Sequence, residues 1–205
     1  MIGIIDYGAG NLRSVTLAIE RCGCDVCIVH TPEQLQAVCA LVLPGVGSFN
    51  MAMQTLQAAG WDQAIRDQVS NGKKLLGICL GMQLLFEYGS EDGPSSGLGL
   101  IPGRVVPIEA TFGNRIPHMG WNSVVWQCNH PVMTGIRSGL DFYHVHSYHC
   151  LPDNPSDILA LTPYGSDLIT AVANNQVVGF QFHPEKSQPA GLKLLQNFLD
   201  WAISC

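Results

Sequence analysis

The chain has 205 residues, of which 47% are hydrophobic and only 13% charged. A chain of this length buries roughly 70% of its unfolded surface, so a real core is available, and neither a charge-rich disordered polymer nor, in the absence of any glycine period, a collagen-like repeat fits. The net charge of −6, without a run of basic residues, argues against a phosphate-backbone binder.

No apolar run reaches the roughly 20 residues that span a bilayer. Ile2–Ile5 is too short, and lacks the basic flank, for a signal peptide. The expectation is a soluble, cytoplasmic protein. Domains average about 150 residues and single α/β domains often exceed that. With no flexible linker or internal repeat in view, residues 1–205 are expected to form a single domain.

The first half alternates strand-like and helix-like periods. Ile2–Asp6 is apolar and β-rich, and Gly8-Ala9-Gly10 punctuates it. Asn11 can cap a helix from Leu12 to about Arg21. A second strand is predicted over Asp25–His30, a short helix from Pro32, and a third strand over Ala40–Leu43, ended by Pro44-Gly45. Helices are predicted over Met51–Ala59 and Trp61–Ser70, a fourth strand over Lys74–Ile78 and a helix over Leu80–Tyr88. Continuously apolar strands alternating with helices belong in an open, mostly parallel central sheet covered by helices on both faces.

The texture then changes. Gly89–Gly97 reads as a surface loop. Short strands are predicted over Arg104–Ile108, Asn122–Trp126, Phe142–Cys150, Ile158–Leu161, Leu168–Ala173 and Val177–Phe182, with a closing helix from about Pro189 to Ala202. The fold class is therefore α/β with a mixed or antiparallel sheet extension.

The Cys residues do not form a metal pattern. Cys22, Cys24 and Cys27 form C-x-C-x2-C, whereas zinc sites favour C-x2-C with a second, distant pair. Cys39, Cys79, Cys128, Cys150 and Cys205 stand singly. The cluster is read as reduced, buried or half-buried small side chains around a helix end and the next strand.

The sharpest motif is Gly77-Ile78-Cys79-Leu80-Gly81, between a buried strand and a helix. In that context G-x-nucleophile-x-G is a nucleophile elbow: the glycines clear space around a strained turn that lifts the central side chain above the sheet edge. Amides at the helix start can face an oxyanion, and a helix N-terminus favours thiolate. A thiolate nucleophile calls for a base and an orienting acid. Of the seven His, His183 directly follows a strand within His183-Pro184-Glu185, so Glu185 can take its Nδ1 proton and leave Nε2 for Cys79. Asp6 and Asp141 remain rival acids at this level. Pro44-Gly45-Val46-Gly47 can expose backbone N–H groups as a second oxyanion donor.

His144 and His146 would share one strand face, with His149 nearby. Lacking H-E-x-x-H or a carboxylate companion, they are read as a polar wall of the site or part of an interface, and not as a metal centre. Gly8-Ala9-Gly10-Asn11-Leu12-Arg13 matches a dinucleotide fingerprint only in part and no Walker A loop exists, so cofactor-free chemistry is expected. Asn114–Asn122 carries Met119 and Trp121 in a loop-like stretch, either as core plugs or as a docking surface.

Together, Gly77-Ile78-Cys79-Leu80-Gly81-Met82-Gln83 and Gly179-Phe180-Gln181-Phe182-His183-Pro184-Glu185-Lys186-Ser187 resemble the class I glutamine amidotransferases. Asp6–Leu12, Pro44–Phe49, Pro117–Asn122 and Val145–Tyr148 narrow the resemblance to the glutaminase subunits of imidazole glycerol phosphate synthases, over residues 2 to about 200. The resemblance implies a catalytic triad of Cys79, His183 and Glu185. It implies an oxyanion hole from the Leu80 N–H and from Gly45, Val46 and Gly47, whose peptides reorient before it is complete. It places Gln83, His146, Ser147 and Tyr148 beside bound L-glutamine, and Asn11, Met119, Trp121 and Lys186 against the partner. That partner is the (β/α)8 barrel synthase (cyclase) subunit, in a heterodimer, with ammonia channelled into the barrel. No metal or organic cofactor is implied. His149 departs mildly from the aromatic residue that many relatives carry there. The His118–Asn122 stretch argues against the related glutaminase of pyridoxal phosphate synthesis. Free-standing cysteine hydrolysis and a non-catalytic scaffold role are the remaining alternatives.

Overall fold

The computed structural model describes residues 1–110 and 114–203; Cys205 lies outside the described residues. In chain order it forms β1 (Ile2–Ile5), α1 (Leu12–Arg21), β2 (Val26–Val29), β3 (Ala40–Gly45), α2 (Phe49–Ala58), α3 (Trp61–Ser70), β4 (Lys74–Cys79) and α4 (Leu80–Leu84). The remainder forms β5 (Phe86–Gly89), β6 (Ser95–Ser96), β7 (Ile101–Pro107), β8 (His118–Trp126), β9 (Leu140–His146), β10 (Tyr148–Pro152), β11 (Ile158–Tyr164), β12 (Ser166–Asn174), β13 (Val177–Phe180) and α5 (Gln188–Ile203). Short 3-10 turns at Pro32–Ala37, Pro131–Met133, Pro155–Asp157 and Pro184–Lys186 each begin on a proline, whose fixed φ suits a helical first position.

The strands make a nine-stranded mixed sheet, ordered β2-β1-β3-β4-β13-β12-β11-β8-β9, and a four-stranded sheet, ordered β10-β7-β5-β6. β2, β1, β3, β4 and β13 run parallel, and from β12 onward the large sheet is antiparallel. The parallel strands are nearly all buried on both sides, which is why they read as continuous apolar runs. One apolar cluster joins the sheet to α1 and α5; the other joins it to α2, α3, α4 and the small sheet. This α/β architecture agrees with the expected fold class.

Local signals in the first half translate directly. Asn11 accepts the Ser14 N–H at 3.3 Å and caps α1. β3 runs two residues further than expected, through Pro44 and Gly45. Its pairing with β1 stops at Val42 while pairing with β4 continues to Gly45, so the missing Pro44 N–H falls where no β1 partner needs it.

Three expectations are corrected. The helix predicted over Leu80–Tyr88 ends at Leu84, and Phe86–Gly89 is a strand. The Leu84 carbonyl accepts from Leu98 and that of Leu85 from Leu100 and Ile101, so the incoming chain takes the acceptors that helix continuation needs. Gly89–Gly97 is not wholly a surface loop. Both end glycines are buried, Ser95–Ser96 pairs with β5, and the Glu91 carboxylate accepts the Phe49 N–H at 2.9 Å. The single strand expected over Phe142–Cys150 is two strands broken at Ser147, β9 pairing in the large sheet and β10 in the small one.

The elbow is the tightest part of the fold. A Cβ on Gly77 would stand 2.6 Å from the Gly81 carbonyl oxygen, and one on Gly81 would drive into the Leu43 carbonyl oxygen. Gly81→Ala is therefore expected to destabilise the protein by about 3 kcal/mol, a melting-temperature loss of roughly 6–12 °C. Calorimetry that found an unchanged melting temperature would contradict this packing.

Candidate active site

Three neighbouring parallel strands deliver the site. β4 lies between β3 and β13, and the registers set Gly45 beside Cys79 and Phe180 beside Ile78. The chain segments leaving the C-terminal ends of these strands, Gly45–Gly47, Cys79 and Gln181–Glu185, therefore meet at one edge of the sheet, where open α/β sheets keep their sites.

Cys79 has φ 56° and ψ −112°, a backbone state that costs a residue bearing a Cβ. Its Sγ lies 3.9 Å from the Val145 carbonyl oxygen and 3.8 Å from Gln181 Nε2. α4 has only five residues, so it offers the amides of a first turn more than the dipole of a long helix.

His183 is 4% exposed, and its Nδ1 lies 2.8 Å from Glu185 Oε1. The 3-10 turn Pro184–Lys186 folds Glu185 back under the ring, with its side chain 1% exposed. The His183 backbone is held from the side: its N–H donates to the Tyr143 carbonyl, and the Ser187 hydroxyl bridges the His183 carbonyl and the Tyr143 N–H. Burial alone would lower the His183 pKa, but Cys79 and Glu185 outweigh it and raise it to about 9. His183 Nε2, the nitrogen left for Cys79, has no hydrogen-bond partner among the described residues. The rival acids are elsewhere: Asp6 accepts from the Gly8 N–H and faces His30, and Asp141 is exposed on β9.

These groups border a cavity of about 290 Å³, at the small end of small-molecule sites. Of the residues named from sequence, Val46, Gly47, Cys79, Leu80, Gln83, His146, Ser147, Tyr148 and His183 line it. Gly45 does not. It is packed behind, where a Cβ would meet the Tyr7 hydroxyl at 2.6 Å. Gln83 is buried and its Nε2 lies 3.0 Å from Gln181 Oε1 and 3.3 Å from the Tyr148 carbonyl.

The residues expected at the partner surface are only partly together. Met119 is 60% and Trp121 44% exposed, two residues apart on β8. Trp121 meets the Tyr143 ring edge-on at 5.9 Å, and Lys186 Nζ stands 5.6 Å above the same ring. Asn11 is exposed on a different loop, at the start of α1, with its side chain engaged in the helix cap.

Sequence reasoning missed Gln181 and Tyr7. Gln181 is fully buried between Gln83 and Cys79. Because Gln83 donates to its oxygen, its NH2 group is turned toward the sulfur. Tyr7 is buried beside the Gly45 backbone, and burial first, then Cys79, pushes its hydroxyl pKa up. Both lie inside motifs already singled out, but only the strand order aims them at the nucleophile.

A family model for glutamine amidotransferase class-I matches residues 3–201. The chain belongs to this family. Among its relatives, the imidazole glycerol phosphate synthase subunit HisH of Desulfitobacterium hafniense (strain DSM 10664 / DCB-2) is 47% identical over 98% of this chain and 94% of the relative. The HisH subunit of Geobacillus kaustophilus (strain HTA426) is 46% identical over 97% and 96% of the two chains. The fold is shared with a solved glutamine amidotransferase (TM-score 0.74, 23% identity, 98% of both chains) and with PurLQS from Thermotoga maritima (TM-score 0.76, 19% identity, 98% and 97%). No helix among the described residues of this amidotransferase is long and apolar enough to cross a membrane.

The raised His183 pKa has a consequence for stability. The gain from the protonated ring is complete below about pH 6.5, the unfolded value, and is lost as pH rises through about 9. The melting temperature of the wild type is expected to fall over that window, and that of His183→Asn to fall less. Parallel pH profiles of the two proteins would remove the basis for a charged His183.

Proposed function

We propose that Cys79, His183 and Glu185 perform glutamine hydrolysis in this amidotransferase, and that the ammonia passes to a (β/α)8 barrel synthase subunit. The chain is an enzyme of the HisH type, a glutaminase that supplies ammonia to a partner synthase in histidine biosynthesis. The observation that carries the residue assignment is the convergence of Val46, Gly47, Cys79 and His183 on one small cavity from three adjacent strand ends, with Glu185 on the far nitrogen of His183.

The Cys79 thiolate attacks the side-chain amide carbon of glutamine, and the carbonyl electron pair moves onto oxygen. The resulting oxyanion is held by the Leu80 N–H and by an N–H from Gly45, Val46 or Gly47. Protonated His183 gives its Nε2 proton to the departing nitrogen, and the C–N bond breaks to leave a glutamyl thioester and ammonia. His183, now neutral, takes a proton from water as the water attacks the thioester. Collapse of that intermediate expels the thiolate and releases glutamate. Glu185 keeps the Nδ1 proton in place throughout and stabilises the imidazolium. Gln83, His146, Ser147 and Tyr148 line the cavity that the glutamine occupies in this reading.

The partner surface assigned here is the patch of Met119, Trp121 and Lys186, with Asn11 at a separate point of contact. An aromatic ring, a methionine and a cation exposed together fit a heterodimer interface. Residues 1–205 are read as one amidotransferase domain working in the cytoplasm as half of that heterodimer.

Two measurements test this reading. Cys79→Ala is expected to abolish glutamate release while still binding the barrel synthase; measurable turnover by that variant would remove Cys79 from the mechanism. Trp121→Ala is expected to weaken association with the synthase about 30-fold, the scale of an interface hot spot, and to leave the melting temperature of the free chain nearly unchanged. Unaltered affinity in a titration of the two subunits would place the interface elsewhere.

A further inference from the structure

A second cluster of donor side chains lies beside the catalytic cavity, and the chemistry above does not use it as a cluster. The antiparallel register of β8 and β9 pairs His118 with His146 and Gly120 with His144, which puts all three imidazoles on one face. Their ligating nitrogens fall within 4.8 Å of one another. We propose that His118, His144 and His146 form a site for a divalent transition-metal cation of the zinc class.

His144 is fully buried, and neither of its ring nitrogens has a hydrogen-bond partner among the described residues. A buried polar atom left unpaired is costly, so this ring is the one that calls for a ligand. His146 and His118 carry the outer supports found behind metal-binding imidazoles. His146 Nδ1 lies 2.8 Å from the Tyr148 carbonyl oxygen, so that nitrogen holds the proton and Nε2 presents its lone pair. This Nε2 faces His118 Nδ1 at 2.9 Å, and His118 Nε2 lies 3.0 Å from the Asn122 side-chain amide. A cation between the two facing nitrogens needs His118 to carry its proton on Nε2 instead of Nδ1. The Asn122 amide, turned over, accepts that proton through its oxygen. The ring stays neutral and no charge is created or lost.

The dimensions suit a small ion. The ring centres stand 4.5, 4.8 and 5.7 Å apart. Imidazoles on a tetrahedral ion, with metal–nitrogen bonds of about 2.0–2.1 Å, place their ring centres about 5 Å apart. His118 and His144 are now within 22° of parallel, and ligation turns His144 about its Cβ–Cγ bond, a torsion with broad preferences. Burial lowers the pKa values to about 4 for His118, about 2 for His144 and about 3 for His146, so the rings are in the neutral, ligating form. An all-imidazole set selects zinc, copper, nickel or iron over magnesium and calcium. His146 and Pro117 line the catalytic cavity, which gives the ion its way in.

The experiment is a cobalt(II) titration of the complete chain, because cobalt reports its ligands in its absorption spectrum. One equivalent is expected to give visible d–d bands without thiolate-to-cobalt charge transfer, and zinc is expected to displace it. His144→Phe, which keeps a ring in the stack, is expected to weaken binding about 100-fold or more; if that variant does not fold, His118→Gln is read the same way. Failure to bind cobalt, a charge-transfer spectrum reporting the Cys22–Cys24–Cys27 group or Cys79, or unchanged affinity in the folded variant would each overturn the proposal.

Discussion

The structure turns on the backbone of Cys79. A positive φ at a residue with a Cβ is sustained only where the surroundings leave no alternative. Here β3 and β13 pair with β4 on either side, and Gly77 and Gly81 remove the two side chains that would collide inside the turn. The strain falls where it is useful. It places Cys79 at the cavity, which Leu80 at the start of α4 also lines. It also obliges α4 to pack against the end of β3, and so brings Gly45–Gly47 to the nucleophile.

The buried histidines around this turn divide by partner. His183 has a carboxylate on one nitrogen and faces a thiol with the other, and it is held protonated despite burial. His118, His144 and His146 have other histidines, amides and carbonyls around them, and burial holds them neutral. Similar desolvation thus leaves one histidine charged and three neutral, and the difference is the pairing of His183 with Cys79 and Glu185.

The break at Ser147 links the two sheets to this chemistry. β9 closes the edge of the large sheet and holds His183 through the Tyr143 backbone, while β10 crosses to the small sheet and carries the Tyr148 carbonyl that anchors Gln83 and His146. The same Tyr143 ring lies under Trp121 and Lys186 at the surface. A partner seated on those side chains would therefore press on the strand that holds the His183 backbone, which is a short mechanical route between that surface and the cavity.

Much of this was legible in the chain itself. The apolar runs of β1, β3 and β4, the Asn11 cap and the elbow glycines are local features with local causes, so periodicity and turn chemistry identified them. Cys79 and the His183-Pro184-Glu185 segment were recognisable because a nucleophile at a strand-to-helix turn and a base after a later strand have restricted spacings. The limit was non-local hydrogen bonding. Periodicity carries a helix through Leu84 and Leu85, and only the arrival of Leu98–Ile101 on their carbonyls ends it. Alternation makes one strand of Phe142–Cys150 because it does not reveal which sheet each half joins. Residue spacing left Asp6 and Asp141 open beside Glu185, which only the family resemblance singled out; aiming Gln181 at the sulfur and gathering His118 with His144 and His146 required strand order and register. The sequence by itself determined which residues can strain, cap, ionise or attack, since those are properties of side chains and their immediate neighbours. Tertiary structure alone decided which of them meet, because that depends on pairings between strands far apart in the chain.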